Sequence, residues 1–293
     1  MPDAVRVAMN DKTLQDHYLR RILNSKVYDV AIESPLEKAA TLSKKLGNTF
    51  LLKREDLQSV HSFKLRGAYN KMSQLPRAAL EKGVLAASAG NHAQGVALSA
   101  KRLGCKATIV MPVTTPEIKI ASVKSFGASI VLAGDSYSDA AAEASRLVKG
   151  KHYTFIPPYD DPDVIAGQGT VAMEILRQRP GALDAVFVPV GGGGFAAGVA
   201  VYIKAVRPEV KVFGVEPVDS DCMDRSIKAG RRVELSEVGL FADGVAQNAA
   251  GIGMPYCASF AVILCINTRF CAIHSKRIRF SDETFTEIFA KRY

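Results

Sequence analysis

Short apolar runs recur along the middle of this chain, each followed by a glycine-containing turn and then by a stretch with helical spacing. GVLAAS (83–88) leads through AGN into HAQGVALSAKRLG, where Val96, Ala97, Ala100 and Leu103 share one face. KATIVMP (106–112) leads into EIKIASVKSFG, and ASIVLAG leads into SDAAAEASRLVKG. Further on, AVFVPV (185–190) runs into GGGG, then FAAGVAVYIKAVRP, then KVFGVEP. Brief apolar runs bounded by Gly or Pro read as strands, and the periodic stretches between them as amphipathic helices. Their alternation predicts an α/β fold built on parallel sheet with helices on both faces. Such sheets bind ligands at the carboxyl ends of their strands, so the strand-to-helix turns are the places to look for chemistry.

At 293 residues the chain has length for two lobes, and 48% hydrophobic, 23% charged and 8% aromatic residues describe an ordinary globular protein. The opening MPDAVRVAMNDKTLQDHYL is mixed polar, and apolar stretches fall short of the ~20 residues of a membrane span. A cytoplasmic protein without membrane contact is the expectation. Five cysteines (Cys105, Cys222, Cys257, Cys265 and Cys271) with no C-x-x-C spacing argue against a disulfide framework and a zinc site. The net charge is +9 and the pI about 9.3, yet basic residues alternate with acids along the whole chain. That pattern suits a solvated surface favouring anionic ligands better than a nucleic-acid patch.

Three turns carry candidate chemistry. In Ser62-Phe63-Lys64-Leu65-Arg66-Gly67-Ala68, a lysine lies between two apolar side chains with small residues one turn on. Burial there would lower its pKa and make the amine a nucleophile toward an aldehyde, although a lysine so placed also snorkels from helices. Ser88-Ala89-Gly90-Asn91-His92 joins a strand to a helix whose start offers N–H groups to a carboxylate. Asn91 could cap that helix or donate to a ring, and His92 could be catalytic or structural. Gly191-Gly192-Gly193-Gly194 keeps side chains away from a helix start, so that successive N–H groups can wrap a phosphate. The same turn supports a rival: Gly191, Gly193 and Ala196 fit G-x-G-x-x-G/A, and Glu216 ends the following strand at the spacing of a dinucleotide fingerprint. An NAD-binding dehydrogenase built that way leaves Lys64 and the Asn91 turn without a role.

Taken together, the segments KREDLQSVHSFKLRGAYNKM, ASAGNHAQGVA, VMPVTTPEIKI, PPYDDPDVIAGQGT, FVPVGGGGFAAGVA and VGLFADGVA resemble the tryptophan-synthase-β-like class of pyridoxal phosphate enzymes. Within it they look like the biosynthetic threonine deaminases, from about Val27 to Ala246, with serine dehydratases and racemases as near relatives. The resemblance implies pyridoxal phosphate fold type II, two lobes of parallel-rich sheet flanked by helices. It implies Lys64 as the Schiff-base and catalytic residue, Phe63 packing near the ring and Asn91 bonding the ring oxygen. Gly191, Gly192, Gly193, Gly194 and Phe195 would cradle the phosphate, and Ser88, Gly90 and His92 would lie around the substrate carboxylate. The implied reaction is deamination of L-threonine to 2-oxobutanoate and ammonia, the first committed step of isoleucine biosynthesis, with L-serine as a second substrate because one methyl group discriminates by only ~1–3 kcal/mol. A homo-oligomer, tetrameric in the family, is implied as well.

The expected division is a segment at 1–62 joining the large domain, a small domain at 63–160, a large domain at 161–246 and an atypical tail at 247–293, with no regulatory domain. In the tail the resemblance stops: a late Ser- and Gly-containing loop that bonds the pyridine nitrogen in the family has no counterpart. Three readings of the tail stand: a frameshift with an early stop, an insertion before the faint echo at Arg277-Ile278 and Asp282–Phe285, or a genuine ending with a short helix from Ser281. The expectation is an incomplete large domain with an exposed sheet edge, and weak activity or none.

Overall fold

The structure, a computed structural model, describes residues 11–239, 241–251 and 262–266. The chain opens with α1 (Asp11–Leu23), then an antiparallel pair, β1 (Leu36–Lys38) and β2 (Leu51–Lys53), enclosing α2 (Ala40–Leu46). A 3-10 turn at Glu55–Leu57 leads into α3 (Lys64–Ser73) and α4 (Arg77–Lys82). There follow β3 (Val84–Ala87), α5 (Asn91–Leu103), β4 (Ala107–Met111), α6 (Glu117–Ser125), β5 (Ser129–Leu132), α7 (Tyr137–Lys151) and β6 (Thr154–Phe155). Then come α8 (Pro162–Gln178), β7 (Ala185–Pro189), α9 (Gly194–Val206), β8 (Lys211–Pro217), α10 (Cys222–Ala229) and β9 (Val262–Ile266). The strands and helices anticipated from periodicity all form, and the α/β class with parallel sheets holds.

The first sheet is wholly parallel, in the order β5-β4-β3-β6. Its pleat sends Val84, Ala86, Ile109 and Met111 into a core shared with α3, α5 and α6, and Leu85, Ala87 and Val110 into one closed by α7. Alternation with burial on both faces is what the unbroken apolar runs encode. The second sheet, β7-β8-β9, is also parallel and packs on α9. Tyr18 and Ile22 of α1 lie in that second core beside Ile165 of α8 and Val199 of α9.

The edge expected to be bare beyond β8 is covered over part of its length. Val262–Ile266, the apolar run in the tail, pairs with Phe213–Pro217 in parallel register. The helix anticipated from Ser281 and the echo at Arg277–Phe285 lie outside the described residues.

Helices around the first sheet cross with their backbones nearly touching. A Cβ on Gly67 would lie 2.8 Å from the Val164 carbonyl, and one on Gly95 would lie 3.1 Å from the Leu65 Cα. These contacts clamp the start of α3 between α5 and α8, which positions Lys64. Among the described residues no helix is long and apolar enough to cross a membrane.

Candidate active site

Lys64 is the first residue of α3, and its backbone N–H donates to the Ser62 hydroxyl at 3.2 Å. The side chain is half-buried, and Nζ donates to the Pro158 carbonyl at 2.9 Å, 5.6 Å from the centre of the Phe63 ring. Desolvation pulls its pKa down from the ordinary lysine value to about 8, the direction the apolar flanks predict. About a tenth of the amine is therefore unprotonated at pH 7.

The second turn closes β3. Ser88 Oγ accepts the Gly90 N–H at 3.3 Å, and a Cβ placed on Gly90 would meet no atom within 4 Å, so open space lies beside it. Gly90 is the cap position and Asn91 the first helical residue, with its side chain exposed, which removes the capping alternative for Asn91. His92 is buried, and its Nε2 lies 2.9 Å from the Ile156 carbonyl.

In the third turn Gly192, Gly193 and Gly194 are buried, and the four glycines have separate local reasons. A side chain on Gly192 would strike the Tyr159 ring, and one on Gly194 would come within 2.5 Å of the Tyr159 carbonyl. Gly193 has φ of +90°, the left-handed region, and Gly191 packs on Val245 and Gln247. Packing alone thus demands much of the glycine run that sequence reasoning assigns to a phosphate. Phe195 then stacks on Phe63 with ring centres 4.0 Å apart and planes 15° apart, bringing the starts of α3 and α9 together.

Ile156-Pro157-Pro158-Tyr159 ties the three turns to one another. Ile156 accepts from His92, Pro158 accepts from Lys64, and Tyr159 lies against the glycine turn. This run follows β6, another carboxyl end of a strand. The sequence segment quoted above begins at Pro157 and gave Pro157–Tyr159 no role, because a strand of two residues leaves almost no periodic signal.

Arg66 was missed too. Its side chain has no exposed surface and bonds Glu55 through Nε and Nη2 at 2.8 Å, Glu174 at 2.6 and 3.0 Å, and the Thr170 hydroxyl and Ile32 carbonyl at 3.1 Å. Lys53 adds a second cation 2.6 Å from Glu174, and the Tyr28 hydroxyl donates to Glu174 at 2.9 Å. The network balances two carboxylates with two cations and joins the 28–34 segment, the 3-10 turn, α3 and α8. The planar fork of arginine suits such bidentate pairing. Its partners are far apart in sequence, so no spacing rule reveals it.

Glu216 does not face a ribose. It is fully buried at the end of β8, where its carboxylate accepts the N–H groups of Met223 at 3.0 Å and Asp224 at 2.9 Å. It therefore caps the start of α10. Burial pushes its pKa up to about 7, against the pull of those two N–H groups. The dinucleotide reading loses its acidic partner.

The helix starts at this site share an electrostatic character. α3, α5 and α9, like α2 and α4 elsewhere, carry no acidic residue in their first turns and no side-chain cap at the N-cap position, whereas α7 is capped by Ser136 with Asp139 behind it and α8 by Asp161 with Asp163. Uncapped positive helix ends, a desolvated amine and open space at Gly90 fit an anionic aldehyde such as pyridoxal phosphate.

Comparison with known proteins agrees with that fit. A chloroplastic biosynthetic threonine dehydratase 1 from Solanum lycopersicum is 61% identical over 234 residues, 80% of this chain and 39% of its own length. The chain thus spans about two-fifths of that relative. Among solved structures, the processed form of threonine deaminase isoform 2 from Solanum lycopersicum superposes with a TM-score of 0.86 at 51% identity, over 88% of this chain and 76% of that one. Maize serine racemase superposes at 0.80 with 28% identity, over 87% and 79%. The sequence profile described as "Pyridoxal-phosphate dependent enzyme" matches residues 27–278, well past Ala246. With more than half its length matched, the chain belongs to the family of pyridoxal-phosphate dependent enzymes.

Proposed function

We propose that this chain carries the catalytic machinery of an ammonia-lyase that converts L-threonine to 2-oxobutanoate and ammonia, and L-serine to pyruvate. The observation that carries the reading is Lys64 itself, a desolvated amine at the meeting point of three uncapped helix starts. Kinship with threonine dehydratases at 61% identity, against 28% for a serine racemase, favours threonine over the racemase alternative.

In this reading Lys64 joins the cofactor, Gly191–Gly194 and Phe195 hold its phosphate at the start of α9, Phe63 packs near its ring and Asn91 bonds its ring oxygen. Bound there, pyridoxal phosphate supplies a sink for the electron pair left at the substrate Cα. The chain's own residues do the rest. Ser88 and the Gly90–His92 backbone present the start of α5 to the substrate carboxylate. Lys64 Nζ takes the Cα proton, a step its lowered pKa favours near neutrality. The Phe63–Phe195 stack shields one side of the chamber from water. The division at 63–160 and 161–246 into small and large domains, a homo-oligomeric assembly and a cytoplasmic location complete the reading. Unpaired Cys105 and Cys222 suit a reducing compartment.

The test is to load the protein with pyridoxal phosphate and follow 2-oxo acid release from threonine and serine. The expected outcome is 2-oxobutanoate and pyruvate respectively, with kcat/KM values within about 10–200-fold of each other. Racemised serine with no 2-oxo acid would overturn it.

A further inference from the structure

A cofactor with an aldehyde at one end and a phosphate at the other needs two anchors at a fixed separation. Misplacement by about 1 Å can cost on the order of a hundredfold. In the reading above, one anchor is Lys64, whose Nζ donates to the Pro158 carbonyl at 2.9 Å. The other is the glycine turn ahead of α9. Tyr159 directly follows Pro158 and touches that turn.

The contact has two parts. A Cβ on Gly194 would lie 2.5 Å from the Tyr159 carbonyl, and one on Gly192 would strike the Tyr159 ring at Cγ, Cδ2 and Cε2. Gly251 packs on the same ring edge, where a Cβ would lie 2.9 Å from Cδ2 and from Cε2, and its N–H donates to the Gly192 carbonyl at 3.0 Å. Approaches this close leave no side chain between the ring and the backbone of the turn. A tyrosine ring is flat and stiff, so it spaces whatever packs on it. The phenol adds no charge there: burial first, then Tyr137 and Asp160, push its pKa up to about 12.

We propose that Tyr159 is a positioning residue whose ring fixes the separation between the Lys64 amine and the glycine turn, so that one cofactor reaches both. The inference rests on the reading of Lys64 and the glycine turn as the two anchors. The Pro158 carbonyl that holds Nζ and the Tyr159 N–H belong to one planar peptide unit. A ring displaced from Gly192 therefore tilts the carbonyl that aims the amine. The ring contacts run through carbon atoms, so the hydroxyl is dispensable to the spacing.

Two substitutions separate this role from that of a structural prop. Borohydride trapping, read by peptide mass spectrometry, gives the concentrations of pyridoxal phosphate and of pyridoxal that half-saturate Lys64. Their ratio reports the phosphate anchor, and pyridoxal alone reports the amine. Tyr159→Phe keeps the ring and should keep the parent's ratio. Tyr159→Leu removes the flat ring edge and should lower the preference for pyridoxal phosphate by about tenfold or more, with pyridoxal near the parent's value. A parent-like ratio in Tyr159→Leu, an equal weakening of both compounds, or a lost preference in Tyr159→Phe overturns the proposal. If Tyr159→Leu fails to fold, the ring ¹³C resonances of Tyr159 in the cofactor-free parent decide. They should move with inorganic phosphate and, separately, with pyridoxal, the second response vanishing in Lys64→Ala; a ring that answers to one compound alone overturns the proposal. A parent that traps no pyridoxal phosphate on Lys64 sinks the underlying reading, and the proposal with it, before any variant is compared.

Discussion

Lys64 and Arg66 stand two residues apart in the first turn of α3, and their surroundings give them opposite chemistry. Lys64 meets a carbonyl and an aromatic ring, so desolvation goes unopposed and its amine loses its proton more readily. Arg66 meets two carboxylates in a fully buried fork, so its charge is matched on the spot. Removing one partner of a buried ion network leaves the others uncompensated, at a cost of about 3–5 kcal/mol. Arg66→Met should therefore lower the unfolding free energy in urea by about that amount, and Arg66→Lys should restore little, because an ammonium cannot reproduce the fork. A loss below about 1 kcal/mol would show that the network contributes less than its geometry implies.

At the scale of elements, what matters is how each helix start is satisfied. Those at the site are left open, while α10 is closed from a distance by Glu216 at the end of β8. That carboxyl has a folded pKa of about 7, raised by burial above the ordinary 4.5. The folded state therefore binds its proton more tightly than the unfolded chain does. This contribution to stability is fully present below about pH 4.5 and is lost as pH rises through about 7. Glu216→Gln, which cannot ionise, should flatten the fall in unfolding free energy across that window while keeping an acceptor for one of the two N–H groups. An unchanged pH profile in chemical denaturation would assign the fall to other groups.

For the whole molecule, the strands β3, β4, β5, β7 and β8 are legible as short apolar runs bounded by turns, and the helices that follow β3, β4, β5 and β7 because burial on one face leaves a helical period. α8 is harder to see: most of its 17 residues are buried around its whole circumference, so no polar face marks it as a helix. The Lys64, Asn91 and glycine turns were visible through residue type and place in the fold. The Arg66 network and the Ile156–Tyr159 run were not, since their meaning lies in partners a hundred residues away or behind a strand of two residues. Tyr159 also changes the meaning of the glycines, which packing requires whether or not a phosphate is bound. The central claim is that Lys64 is the attachment point of the cofactor, and reductive trapping tests it most directly. Protein loaded with pyridoxal phosphate is treated with borohydride, digested and mapped. The account predicts one pyridoxyl group on the Lys64 peptide, absent from Lys64→Ala; label spread over surface lysines, or unchanged in Lys64→Ala, would contradict it.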